Sequence, residues 1–271
     1  MSGIKTGLFD THVHLDCAPL KQNVEQEVRH ARQVGVENFL VPGVRRSDWP
    51  SLLALVEGLP GALAAPGLHP LAADQWGAGA AAELALCLQH SRIAAVGEVG
   101  LDGLLEAPGV DVQERAFRAQ LRLAVAADLP VLIHCRRSIG RLLSILREEG
   151  AQRVGGIFHS FSGSSESARA AIELGFAIGF GGPLTFPDAR RAPEVLRALP
   201  AEWIVLETDA PDLTPHPFRG QVNRPAYLGL IAERVAGLRG WTLQETARIT
   251  TANARRVLRL KESGVRSQES E

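Results

Sequence analysis

The sequence predicts an α/β protein, a single-domain parallel (β/α)8 TIM barrel, and three observations carry that expectation. Eight short apolar runs recur along the 271 residues. Segments with helical apolar spacing separate them. The runs are apolar on both faces, as strands of a parallel sheet covered by helices must be. An open doubly wound sheet is the alternative, but its first strand-to-helix turn is glycine-rich, and the first turn here is histidine-rich.

In chain order, the run at 7–10 is followed by helical spacing over 24–34, and the run at 38–41 by 48–59. The runs at 62–67 and 93–97 lead into 80–90 and 113–127, and those at 130–134 and 155–159 into 139–148 and 166–174. The seventh run, 177–181, precedes 193–199. After the eighth, 203–207, the segments 227–238 and 243–260 close the ring, the latter announced by Thr242 three residues ahead of Glu245, a capping box. No linker rich in proline, serine and glycine interrupts the chain. Residues 1–261 are therefore expected to form one barrel domain, and 262–271 a polar, disordered tail.

Composition narrows the function classes. At 45% hydrophobic, the chain has ample core for a soluble globular domain. A formal net charge of -1 excludes a long basic stripe for duplex DNA and still admits a short nucleic-acid end held locally. Cys17, Cys87 and Cys135 are scattered without CxxC spacing, which argues against a disulfide framework or a thiolate zinc site. With no basic-then-apolar leader and no long apolar run, a cytoplasmic location away from membranes is expected.

The chemistry gathers at strand ends. His12 and His14 follow the first run, and residues two apart on an extended strand point to one face, so both imidazoles can meet one metal ion. His69 follows the third run, Glu98 the fourth, His134 the fifth, His159 the sixth and Asp209 the eighth. In a TIM barrel those ends open on the active face. Each residue also has a plain structural reading: His134 as a satisfied core imidazole, Glu98 as a helix cap, Asp209 as a turn former before Pro211. Four histidines and two carboxylates exceed the needs of one tetrahedral zinc, so two divalent ions sharing a carboxylate are expected. Barrel hydrolases that bridge their ions with a carboxylated lysine need a lysine on strand four. Lys5, Lys21 and Lys261 end no strand, which leaves Glu98 as the bridge.

These residues also carry a family resemblance. Asp-Thr-His-Val-His at 10–14, Val-Pro-Gly-Val at 41–44, Gly-Leu-His-Pro at 67–70, Gly-Glu-Val-Gly-Leu-Asp at 97–102, Leu-Pro-Val-Leu-Ile-His at 129–134, His-Ser-Phe-Ser-Gly at 159–163 and Glu-Thr-Asp-Ala-Pro at 207–211 resemble the TatD family of metal-dependent deoxyribonucleases. Arg136-Arg137, Gly181-Gly182-Pro183, Asp212 and the segment 220–225 are similar to its YjjV-like branch. The resemblance implies a TIM barrel with one ion on His12, His14, Glu98 and Asp209 and a second on Glu98, His134 and His159. It also implies phosphodiester hydrolysis, in several members at DNA 3′ ends. Ser160 and Gly103 depart from the commoner family pattern, which bears on substrate preference and removes no ligand.

Asp209 is expected to bind one ion and act as general base, with Glu98 holding the ions together. The ligand mix suits zinc, magnesium or manganese. Arg136, Arg137, Arg219 and Arg224 are candidate phosphate clamps, because a guanidinium offers bidentate donors. His69 is expected either to contact substrate or to hydrogen-bond a ligand carboxylate. Cys135 should alternate away from the site. Expected partners are DNA 3′ ends or another small phosphodiester or ester, with no membrane and no obligate protein partner. A hydrolase of other esters or amides, including aminoacyl esters on tRNA, would use the same metal centre, and a non-catalytic metal-binding protein is a third class.

Overall fold

The computed structural model describes residues 7–260, so the expected tail at 262–271 lies outside the described residues. Strands and helices run β1 (Leu8–Asp10), α1 (Val24–Gln33), β2 (Val36–Pro42), α2 (Trp49–Gly58), β3 (Ala62–Ala65), α3 (Ala78–Cys87), β4 (Val96–Asp102), α4 (Val110–Ala126) and β5 (Val131–Arg136). They continue α5 (Ile139–Glu148), β6 (Gly156–Phe158), α6 (Ser165–Glu173), β7 (Phe176–Phe180), α7 (Arg191–Ala198), β8 (Ile204–Leu206), α8 (Leu228–Arg239) and α9 (Leu243–Val257). Every apolar run overlaps a strand. The capping box forms at α9, where Glu245 N–H donates to Thr242 Oγ1 (3.1 Å) and Thr242 N–H to Glu245 Oε2 (2.8 Å).

The described chain divides into two compact units. One comprises residues 7–41, 159–172 and 177–254; the other comprises 42–158, 173–176 and 255–260. In the first, β1 pairs in parallel with β2, and β7 with β8. The end of β1 lies beside the end of β8, because Thr11 N–H donates to Leu206 O (3.0 Å) and Asp209 N–H to His12 O (2.9 Å). Its core includes Leu8, Phe39, Ile178 and Val205 from the strands, and Val28, Ile231 and Val235 from the helices. Each fully buried side chain of that size contributes about 1.5–3 kcal/mol.

In the second unit β5 pairs in parallel with β4 on one side and β6 on the other. All seven residues of β4 are buried. Here one expectation is corrected: the fourth strand does not end before Glu98 but runs from Val96 to Asp102, so Glu98 lies within it, and His134 likewise lies within β5. Glycine, glutamate and aspartate are poor strand formers, so Gly97–Asp102 reads locally as a strand end. Pairing with β5 overrides that preference, setting Gly100 opposite His134 and Asp102 opposite Arg136. Gly100 makes this close approach possible: at φ +153°, a Cβ there would stand 1.9 Å from the His134 carbonyl oxygen. The absence of a side chain lets β4 carry Glu98 up against the imidazole of His134.

Candidate metal centre

In the first unit, residues just beyond β1 and β8 bring three donor atoms together. His12 Nε2 lies 3.2 Å from His14 Nε2 and 3.4 Å from Asp209 Oδ1, and His14 Nε2 lies 3.7 Å from the same oxygen. Two ligands about 2.1 Å from a tetrahedral ion stand about 3.4 Å apart, so the spacing fits a metal ion. Asp209 has φ +58°, a left-handed conformation that aspartate tolerates better than most residues. His159 stacks on His12, with ring centroids 3.9 Å apart and an interplanar angle of 16°. Its Nδ1 is 3.9 Å from Glu207 Oε1.

Two further carboxylates, both fully buried, brace this cluster. Asp10 Oδ1 accepts the Thr208 N–H (2.9 Å), and Asp10 Oδ2 accepts the Thr208 hydroxyl (2.6 Å), which locks the end of β1 to the residue before Asp209. Glu207 Oε1 accepts the Ser160 N–H. Its Oε2 is buried with no hydrogen-bond partner among the described residues. Burial pushes the Asp10 carboxyl up to about 7 against the pull of its Thr208 hydrogen bonds, with Asp209 adding to the rise. Burial likewise pushes Glu207 up to about 8; His159 opposes the shift, and Asp209 and Asp10 reinforce it. Burial alone makes a charged carboxylate costly here, and a neighbouring cation would offset that cost. A divalent ion supplies one, and the donor chemistry agrees.

The second unit holds another cluster. His134 Nδ1 lies 2.6 Å from Glu98 Oε1, and His69 Nε2 lies 3.1 Å from His134 Nδ1 and 3.6 Å from Glu98 Oε1. His134 Nε2 stands 3.3 Å from Asp102 Oδ2, so Asp102 orients that ring from its far side. The Leu71 N–H donates to His69 Nδ1 (3.0 Å). A neutral His69 therefore carries its proton on Nε2, facing His134 Nδ1. These atoms also lie at metal-ligand spacing.

The structure thus gathers His12, His14 and Asp209 in one unit, with His159 beside His12, and His69, Glu98 and His134 in the other. Arg136 and Arg137 are exposed at and just past the end of β5. Arg219 lies over the Phe186 ring, 4.4 Å from its centroid. Arg224 is committed elsewhere, its Nη1 paired with the buried carboxylate of Glu27 on α1. Asp10, Asp102 and Glu207 escaped the sequence reading as site residues. The available signal was period two: Asp10 precedes His12, and Glu207 precedes Asp209, by two residues.

Cys135 has its Sγ 3.7 Å from Ser138 Oγ, and burial raises its thiol pKa. A thiol held neutral beside a serine is a poor nucleophile and a poor ligand. Cys135→Ser should therefore keep its metal content and most of its activity, measured by metal analysis and turnover side by side. Loss of activity at full metal occupancy would give the thiol a role.

Comparison with known proteins extends these observations over nearly the whole chain. The family described as TatD related DNase matches residues 9–259. The metal-dependent hydrolase YabD of Bacillus subtilis is 39% identical over 253 residues, 93% of this chain and 99% of the relative. The 3′-5′ ssDNA/RNA exonuclease TatD of Edwardsiella piscicida is 35% identical over 263 residues, 93% of this chain and all of the relative (100%). The crystal structure of YjjV, a TatD homolog from Escherichia coli, superposes with a TM-score of 0.89 at 33% identity, covering 94% of this chain and 98% of the other. That likeness shows the α/β class of parallel (β/α)8 barrels expected from the sequence.

Proposed function

From the premise that this chain belongs to the TatD related DNase family and is a metal-dependent hydrolase, we propose that it removes single nucleotides from the 3′ end of single-stranded DNA or RNA. The convergence of the His12, His14 and Asp209 donor atoms within 3.7 Å is the observation that carries the reading. A second divalent ion, on Glu98, His134 and His159, is carried over from the family resemblance, and the ligand mix suits zinc, magnesium or manganese. The roles of Glu98 as a shared ligand and of His159 as a further one follow from the family resemblance.

Bound divalent ions would polarise the phosphoryl oxygen and lower the pKa of the attacking water. The protein groups divide the remaining work. Asp209 accepts the proton of that water as general base. Asp10, clamped to Thr208, fixes the separation of the strand ends that carry His12 and Asp209. His69 Nε2 (3.1 Å) and Asp102 Oδ2 (3.3 Å) hold the His134 ring from its two nitrogens. A chain of net charge -1 grips one or two phosphates rather than a long duplex. Arg136, exposed two residues past His134, is assigned to such a phosphate, with Arg137 beside it. Arg136→Ala should raise KM for an oligonucleotide several-fold with metal content unchanged, and an unchanged KM would remove it from the substrate path.

End-labelled linear and circular single strands, incubated side by side with added magnesium, manganese or zinc, test the activity. Mononucleotides should appear from the linear strand alone, and a chelator should abolish them. Equal cleavage of the circle would overturn the exonuclease reading. Inactivity on both strands alongside turnover of carboxyl esters would move the assignment to an ester hydrolase.

A further inference from the structure

We propose that Arg219, stacked on Phe186, forms a binding site for a nucleobase and its adjoining phosphate near the 3′ end of a single strand, and that this site sets the preference for base-bearing single-stranded ends. The proposal rests on the nuclease reading of the metal centre and adds a specificity site to it.

Both residues sit on loops that leave the C-terminal ends of strands in the first unit, Phe186 after β7 and Arg219 after β8. Asp209 stands at the root of the second loop. That loop is pinned at its two ends to the turn that carries Asp209: Asp212 N–H donates to Asp209 O (2.9 Å) and Asn223 N–H to Pro211 O (3.0 Å). The buried Asn223 amide also donates to Thr208 O (2.8 Å) and Asp212 O (2.6 Å). Between those ends the loop is braced by Thr214 Oγ1 on Gln221 O (2.5 Å). It is sewn to the turn before Phe186 by His216 N–H on Thr185 Oγ1 (2.8 Å). Phe218, next to Arg219, stacks on Tyr227 with ring centroids 4.7 Å apart and planes 7° from parallel. At about 3.5 Å per residue, the four residues from Asn223 back to Arg219 span at most about 14 Å, which keeps Arg219 close to the metal-binding turn.

The guanidinium is therefore held rather than free to wander. It is exposed, and among the described residues it makes no ion pair with a carboxylate, whereas Arg224 is neutralised by Glu27. A flat cation on an aromatic ring keeps one π-face and its N–H edge open. A nucleotide of a single strand offers the matching pair, a base for the face and a phosphate for the edge. An acidic peptide offers only the charge.

The test compares kcat/KM for a 3′-labelled single-stranded oligonucleotide with that for the same strand made abasic in its last two positions. The protein should favour the intact end by at least about fivefold, the low end for one stacked base. Phe186→Leu and Arg219→Ala should each bring that ratio close to one. Because the ratio is internal to each variant, a partly misfolded sample cannot mimic the result. An equal rate on both ends in the unaltered protein, or an unchanged ratio in both variants, overturns the stacking site and leaves the nuclease reading standing. Should the protein cleave neither strand, the nuclease reading fails, and anisotropy titration of the same two strands decides the stacking site separately: tighter binding of the intact strand, lost in both variants, supports it, and equal or absent binding overturns it.

Discussion

Asp209→Asn should cut kcat by about 10³ or more, within the range that a positioned general base supplies. Asparagine keeps the shape and one coordinating oxygen. It also tolerates the left-handed backbone that Asp209 adopts at φ +58°, so the fold should survive. What it cannot do is accept a proton from the attacking water. Activity within about tenfold of the parent would assign the base to another group, and a fall in rate that added metal restores would reduce Asp209 to a metal ligand.

Glu98→Gln should lower bound divalent metal and suppress hydrolysis by at least about 10². Glu98 is almost wholly buried and lies 2.6 Å from His134 Nδ1 and 3.6 Å from His69 Nε2. Glutamine preserves the volume inside β4 and removes the negative charge that would hold a divalent ion beside His134. In the metal-free protein the loss of a buried charge costs the fold little, so the thermal midpoint should hold while metal affinity drops. Metal content after dialysis, measured with kcat/KM on the same sample, reads the effect. Unchanged metal and turnover would rule out a metal centre that depends on this carboxylate.

The two predictions differ in how far the sequence alone could reach. Asp209 stands in a Glu-Thr-Asp-Ala-Pro string after a plain apolar run, so its place at a strand end is legible. Glu98 belongs to a segment whose glycines and acids argue locally for a turn, yet it is buried mid-strand because β5 supplies the pairing. His69 reads from the sequence as a lone histidine after an apolar run, and only the fold sets its Nε2 3.1 Å from His134 Nδ1. Arg224 reads as a surface cation with the same standing as Arg219. Only the fold shows one spent on Glu27 and the other stacked on Phe186.

Local pattern determined the strand and helix alternation and the meeting of His12 with His14 on one face. Periodicity of two and 3.6 suffices for these, because it states which side of an element a residue occupies. Tertiary structure alone decided the partners. Asp10 meets Thr208 across 198 residues, Arg224 meets Glu27 across 197, and His69 meets His134 across 65. Such contacts depend on which chain ends the packed core brings side by side, and no window of sequence contains both members of the pair.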